Sequence, residues 1–211
     1  MARGKTRRSQ KAAELLILSA REEFLAHGYA RASVRRICER AGKSTGSLYC
    51  LFDGKEDLFT ACVEPAARAL LVAFGAPDLP GGRMAEPLLP PEREVRLRIG
   101  LIAEAVESHR ASVRLILQEL DRPASSRTFA RLADTADERL PQLLSCLDTT
   151  SIPEGALASQ VTHWLTLKWS YQLVSALCSA HVRGGAHQLV PELTHAAQIR
   201  LDSLIALRRG C

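Results

Sequence analysis

At 211 residues, 46 % of them apolar and 24 % charged, the chain has the length for one compact unit or two small ones and enough apolar content for a sizeable core. The formal net charge of +5 is confined, because residues 1–60 carry 12 Lys/Arg against 7 Asp/Glu while residues 61–211 carry 16 against 16. This profile argues against a disulfide-stapled secreted module and points to a basic head that meets a polyanion, joined to a neutral body; a solvated basic arm without a partner is the plainer alternative.

No segment alternates like a strand, and helical spacing recurs along the chain, so an all-α fold of about nine helices is expected. A basic arm, residues 1–11, holds Arg3, Lys5, Arg7, Arg8 and Lys11. The first helix is predicted over 11–27, with Ile17, Ala20, Phe24 and Ala26–His27 near one stripe and Gly28 as its stop. Ser33 reads as the N-cap of a helix bearing Val34, Ile37 and Cys38, which Ala41-Gly42 closes. Ser44 reads as a second N-cap, opening a brief helix with Leu48 inward that ends near Asp53-Gly54. A fourth helix runs from about 55 to 74. Residues 75–91, with five prolines and three glycines in seventeen positions, read as a linker or surface loop. Helices are then expected over 92–109, 111–121, 127–147 with a kink at Pro141, 153–182 and 189–208. The expected division is a basic head domain over 1–56 and a larger body domain over 57–211.

Six cysteines form no C-x-x-C pair, and His163, His181, His187 and His195 stand at no ligand spacing, so no metal and no cofactor is expected. The run Leu15–Leu18 is too short and too interrupted by charge for a secretion signal, and 161–182 contains His163, Lys168 and Gln172. A cytoplasmic protein with no membrane partner is expected. Gly42-Lys43-Ser44 mimics the tail of a phosphate-binding loop, but Ile37 stands where that pattern needs glycine. No paired carboxylates or Ser–His–Asp order stands out, and an enzyme is not expected.

The helix–glycine turn–helix at 33–52 has a second helix rich in small polar residues, which can bury little area and so offers its surface for contact. Ser44 and Ser47 hydroxyls with nearby amides can hold phosphates, and Arg35, Arg36 and Lys43 add cations. Residues 17–59 resemble the headpiece of the tetracycline-repressor (TetR/AcrR) family. The likeness rests on Ala20, Phe24, Gly28-Tyr29, Ser33-Val34, Ile37, Ala41-Gly42, Ser44, Gly46, Leu48-Tyr49, Phe52, Lys55-Glu56 and Leu58. The resemblance implies that Thr45, Gly46 and Arg35 approach base edges, and that Ser33, Ser44, Ser47, Tyr49 and Lys55 contact the phosphate backbone. Lys43, Cys38 and Cys50 depart from the usual pattern; Cys50 occupies the place of a larger base reader.

In the body, the helix expected at 153–182 is apolar nearly all round, and the last helix carries Leu193, Ala197, Leu201 and Leu204. These residues, with Leu165 and Leu173, fit either a monomer core or, as the resemblance implies, a four-helix interface between two copies. His109, Trp164, Trp169 and Tyr171 are candidate lining of an effector pocket, or ordinary core. The expected function is a ligand-responsive repressor that binds a palindromic operator in double-stranded DNA as a homodimer and is released by a small-molecule inducer. The alternatives are a redox-sensing regulator switching through Cys50, and a helical interaction module that binds no DNA.

Overall fold

The computed structural model describes residues 7–76, 91–145, 168–179, 189–197 and 199. Seven helices are complete within them: α1 (Arg7–Arg31), α2 (Val34–Ala41), α3 (Thr45–Tyr49), α4 (Lys55–Phe74), α5 (Pro91–Ser108), α6 (Arg110–Gln118) and α7 (Pro123–Ser145). Helical segments follow at 168–179 and 190–197, and the described residues contain no strand. The fold is all-α, as the spacing predicts. Trp164, Leu165, Leu201, Leu204, the arm residues Arg3 and Lys5, and most of the Pro/Gly-rich stretch lie outside the described residues.

Some boundaries differ from expectation for local reasons. Helix α1 starts at Arg7, so Arg7, Arg8 and Lys11 are helical rather than part of an arm; Arg7, Arg8 and Gln10 are themselves good helix formers, which carries the helix back past the expected start. Helix α7 starts at Pro123, where a proline's missing amide costs nothing because first-turn amides lack helical partners. Gly75, expected to begin the linker, instead ends α4: at φ 96° its amide and that of Ala76 return to the Leu71 carbonyl.

The chain divides into two compact units, Met1–Ala67 with Ala111–Ser126 and Arg68–Arg110 with Arg127–Cys211. The position 56/57, where the sequence suggests a division, falls within the first turn of α4.

In the first unit the buried face of α1 is Ala13, Leu16, Ala20 and Phe24. It is rotated by about a residue from the expected stripe, which leaves Ile17 half-buried and Ala26 exposed. Phe24, Tyr29 and Phe59 form an aromatic cluster, with centroids 5.4 Å apart for Phe24–Phe59, 5.5 Å for Tyr29–Phe59 and 5.7 Å for Phe24–Tyr29. Gly28 adopts φ 70°, ψ 164°, a conformation essentially confined to glycine. The Tyr29 amide freed there donates to Glu119 Oε1 at 2.7 Å, and a Cβ on Gly28 would lie 3.1 Å from the same oxygen.

Pro65 inside α4 lacks the amide that would bond the carbonyl four residues back. One turn earlier the Ser112 hydroxyl, buried on α6, donates to the Cys62 carbonyl at 2.7 Å. Val113, Leu115 and Ile116 of α6 are fully buried. Helix α6 is therefore part of this unit's core, though 35 residues, 75–109, separate it from α4.

In the second unit Leu70, Ile99, Ile102, Ala103, Val106, Leu132, Val174 and Leu177 are buried. Arg98 donates to the carbonyls of Val72 and Ala73 at 3.4 and 3.3 Å, satisfying the end of α4. Phe129 and Tyr171 meet edge to face at 5.6 Å.

Candidate nucleic-acid interface

The helix-turn-helix is built from side-chain caps. Ser33 has extended backbone and accepts from the Arg36 amide at 3.4 Å, which starts α2. Gly42 is left-handed at φ 61°, and the amides of Gly42 and Lys43 return to the carbonyls of Glu39 and Cys38, which stops α2. Two residues later Ser44 accepts from the Ser47 amide at 3.1 Å and starts α3. The five residues of α3 bury one side chain, Leu48, at 0 % exposure.

What α3 does not bury it presents. Thr45, Gly46, Tyr49 and Cys50 are all exposed, Tyr49 by 60 %. A Cβ at Gly46 would meet nothing nearer than Ser44 Oγ at 3.8 Å, so the fold itself does not require glycine there. The hydroxyls of Ser44 and Ser47 lie 3.0 Å apart and share a hydrogen bond. Arg35 on α2 is exposed and donates from Nε to Glu39 Oε1 at 2.9 Å, one turn along the helix. Among the described residues Arg31 and Lys43 form no ion pair.

Two expected phosphate contacts are engaged within the protein. Lys55 Nζ donates to the Ala30 carbonyl at 3.2 Å and sits 4.7 Å from the Tyr29 ring centroid; burial holds its pKa below the usual lysine range. Arg36 is held by Glu23, a residue that the sequence motifs do not single out. Its Nε donates to Glu23 Oε1 at 2.8 Å, its Nη2 forms an ion pair with the same oxygen at 2.6 Å, and Nη2 donates to the Arg31 carbonyl at 3.2 Å.

The Glu23 side chain is completely buried. Its Oε1 also accepts from the Ser33 amide at 3.1 Å, while Oε2 has His27 Nε2 at 3.8 Å and Arg40 Nη2 at 3.7 Å. Burial alone raises a carboxyl pKa; here the Arg36 guanidinium and the Ser33 N–H outweigh it, and Glu23 lies below its usual range. The signal in the sequence is a carboxylate between Ala20 and Phe24 on the buried face of α1.

Cys38 and Cys62 are buried, and burial pushes both thiols up, Cys62 to about 12. Cys50 is exposed. In the second unit His109 and Trp169 are half-buried and Tyr171 is 37 % exposed. Leu173 and Ala197 are buried within the single chain, and Leu193 is half-buried. Among the described residues no group of three His, Cys, Asp or Glu could hold a metal ion, and no helix is long and apolar enough to cross a membrane.

The profile of the bacterial regulatory proteins, tetR family, matches residues 16–62. The chain is 38 % identical over 87 residues to the HTH-type transcriptional repressor AcnR of Corynebacterium glutamicum, a match covering 40 % of this chain and 46 % of that one. It is 46 % identical over 54 residues to AcnR of Corynebacterium diphtheriae, covering 25 % and 28 %. The chain thus matches less than half the length of these relatives. The fold is similar to that of a tetR-family regulatory protein from Rhodococcus, with TM-score 0.61 and 17 % identity over 88 % of this chain and 94 % of that one. It is likewise similar to Salmonella enterica GusR, with TM-score 0.59 and 19 % identity over 87 % and 94 %.

Proposed function

The chain belongs to the TetR family of bacterial regulatory proteins, and on that premise we propose that it is a transcriptional repressor that binds a palindromic operator as a homodimer and releases it when a small molecule binds the body. The observation that carries this reading is the exposed set on the helix-turn-helix: Arg35 on α2, with Thr45, Gly46, Tyr49 and Cys50 on and just after α3. A short helix anchored by one leucine and otherwise turned outward fits the major groove, where base edges are distinguishable. Gly46, which the fold leaves free to carry a side chain, lets the backbone come close to a base, with Thr45 and Arg35 beside it and Cys50 at the far end of the helix. Ser33, Ser44, Ser47, Tyr49, Lys43 and Lys55 hold the phosphates on either side. Arg35 lies one turn from Glu39, which orients its guanidinium for a bidentate contact to guanine.

Two copies related by a two-fold axis match a palindrome, and an effector that favours a different head spacing releases it. The C-terminal segments, with Leu193 among them, supply the pairing surface; His109, Trp169 and Tyr171 mark the body region where the effector binds. Like the repressors it matches, the chain is not an enzyme. A gel-shift assay on the DNA upstream of the protein's own gene tests the reading. A sequence-specific shift that competitor DNA does not remove is expected, and its absence at moderate salt overturns the proposal.

A further inference from the structure

We infer that Glu23 sets the specificity of the head by withholding Arg36 and Arg40 from DNA phosphates, an inference that rests on the head binding duplex DNA as proposed above.

Five cations lie between Arg31 and Lys43: Arg31, Arg35, Arg36, Arg40 and Lys43. Phosphate contacts from such a cluster are made with every sequence alike, so they raise non-specific binding without telling one site from another. Glu23 divides the cluster. Its fully buried carboxylate takes the Nε and Nη2 of Arg36 on one oxygen and has Arg40 Nη2 at 3.7 Å from the other. Arg36 Nη2 also bonds the Arg31 carbonyl, and Arg40 Nη1 lies 3.5 Å from Glu22. Among the described residues Arg31 and Lys43 have no carboxylate partner, and Arg35 is tied only to a neighbour on its own exposed helix face.

Stability alone does not account for a charge at this position. A buried ion pair is often matched or bettered by an apolar pair of similar volume, and position 23 lies beside the buried Ala20 and Phe24 on α1. A charge kept at that position serves something other than packing. Holding two half-exposed arginines against carboxylates, so that they lend no affinity to arbitrary DNA, leaves the base contacts of α3 to decide the site.

The test is Glu23→Met, with binding measured to the upstream duplex and to a duplex of scrambled sequence across a range of salt. Arg36 and Arg40 have side chains 50 % and 43 % exposed, so once released they can swing out to solvent. The expected result, with the helical circular dichroism signal unchanged, is tighter binding to the scrambled duplex and a smaller preference for the upstream one. The fall in affinity between about 50 and about 200 mM salt should steepen about three- to four-fold for each arginine newly engaged. A head that is merely damaged gives the opposite, weaker binding with a shallower salt dependence. An unchanged or shallower dependence in a folded variant overturns the inference. Glu23→Met/Arg36→Met decides the matter should the single variant not fold. A salt dependence steeper than that of the wild type by about one phosphate, from the released Arg40, supports the inference; one equal to the wild type or shallower overturns it. Wild-type protein that binds neither duplex instead removes the proposed function itself.

Discussion

Helices α2 and α3 are the two halves of one motif, and they are held by different means. Helix α2 is fixed through its interior: Ile37 and Cys38 are buried, and Arg36 and Arg40 turn to a carboxylate inside the unit. Helix α3 is fixed at its ends, by the Ser44 cap and the return of the Cys50 amide to the Gly46 carbonyl, with Leu48 alone reaching the core. The difference teaches how a reading surface is made. One helix carries the positioning, so that the other can spend almost every side chain outward and vary them with little effect on the fold.

The comparison breaks most visibly at Leu48. Leu48→Ala removes the single apolar anchor of α3, and a loss of about 2–5 kcal/mol is expected, read from the midpoint of urea unfolding. A loss below about 1 kcal/mol would mean that the caps, not the leucine, hold α3 in place.

Acid separates the two helices in another way. Glu23 has a lower pKa in the folded head than in the unfolded chain, where it lies near 4.5. Its contribution is present above the unfolded value and is lost as pH falls through the lower folded value. Urea midpoints of the wild type should therefore drop on acidification below the unfolded value more steeply than those of Glu23→Met. Parallel curves for the two proteins would remove Glu23 from that role.

Ser44→Ala takes away the cap of a helix too short to sustain itself, and a loss of about 1 kcal/mol is expected in the same assay. The equivalent change at Ser33 should be milder, because the Ser33 backbone amide keeps its bond to Glu23. The smallest effect on stability belongs to Gly46→Ala, which should shift the midpoint by no more than about 0.5 kcal/mol, since the position is helical and nothing lies nearer than 3.8 Å. Its effect should appear in DNA binding instead, as a weakened gel shift.

The caps are legible in the sequence. Ser33, Gly42 and Ser44 act within three or four residues of themselves, so their chemistry is written locally, and α2 and α3 fall where they place them. Pro123 falls between the helices expected over 111–121 and 127–147 and instead starts the second, because a proline interrupts a helix before it and fits the first turn of the helix after it. Glu23 is legible only as a carboxylate between Ala20 and Phe24, because the arginines it binds lie on another helix and nothing local names Arg36 as its partner. The place of α6 is hidden for a similar reason: Ser112 meets Cys62 across 50 residues and Glu119 meets Tyr29 across 90. Spacing tells which residues share a helix face, not which distant helix that face will meet.

That last contact has a consequence for how the protein comes into being. The Tyr29 amide has its partner only once residue 119 exists, and the Cys62 carbonyl only once residue 112 does. During synthesis, from the N-terminus, the first 67 residues must therefore leave the ribosome with part of their core uncovered and wait for the stretch Ala111–Ser126 to complete it. A head expressed alone to residue 67 lacks Val113, Leu115 and Ile116, and a ribosome stalled before that stretch should hold a nascent chain that proteases still cut within α1 and α4. The helix-turn-helix is written within the first 67 residues, yet its unit cannot be completed until the chain has been made to residue 126.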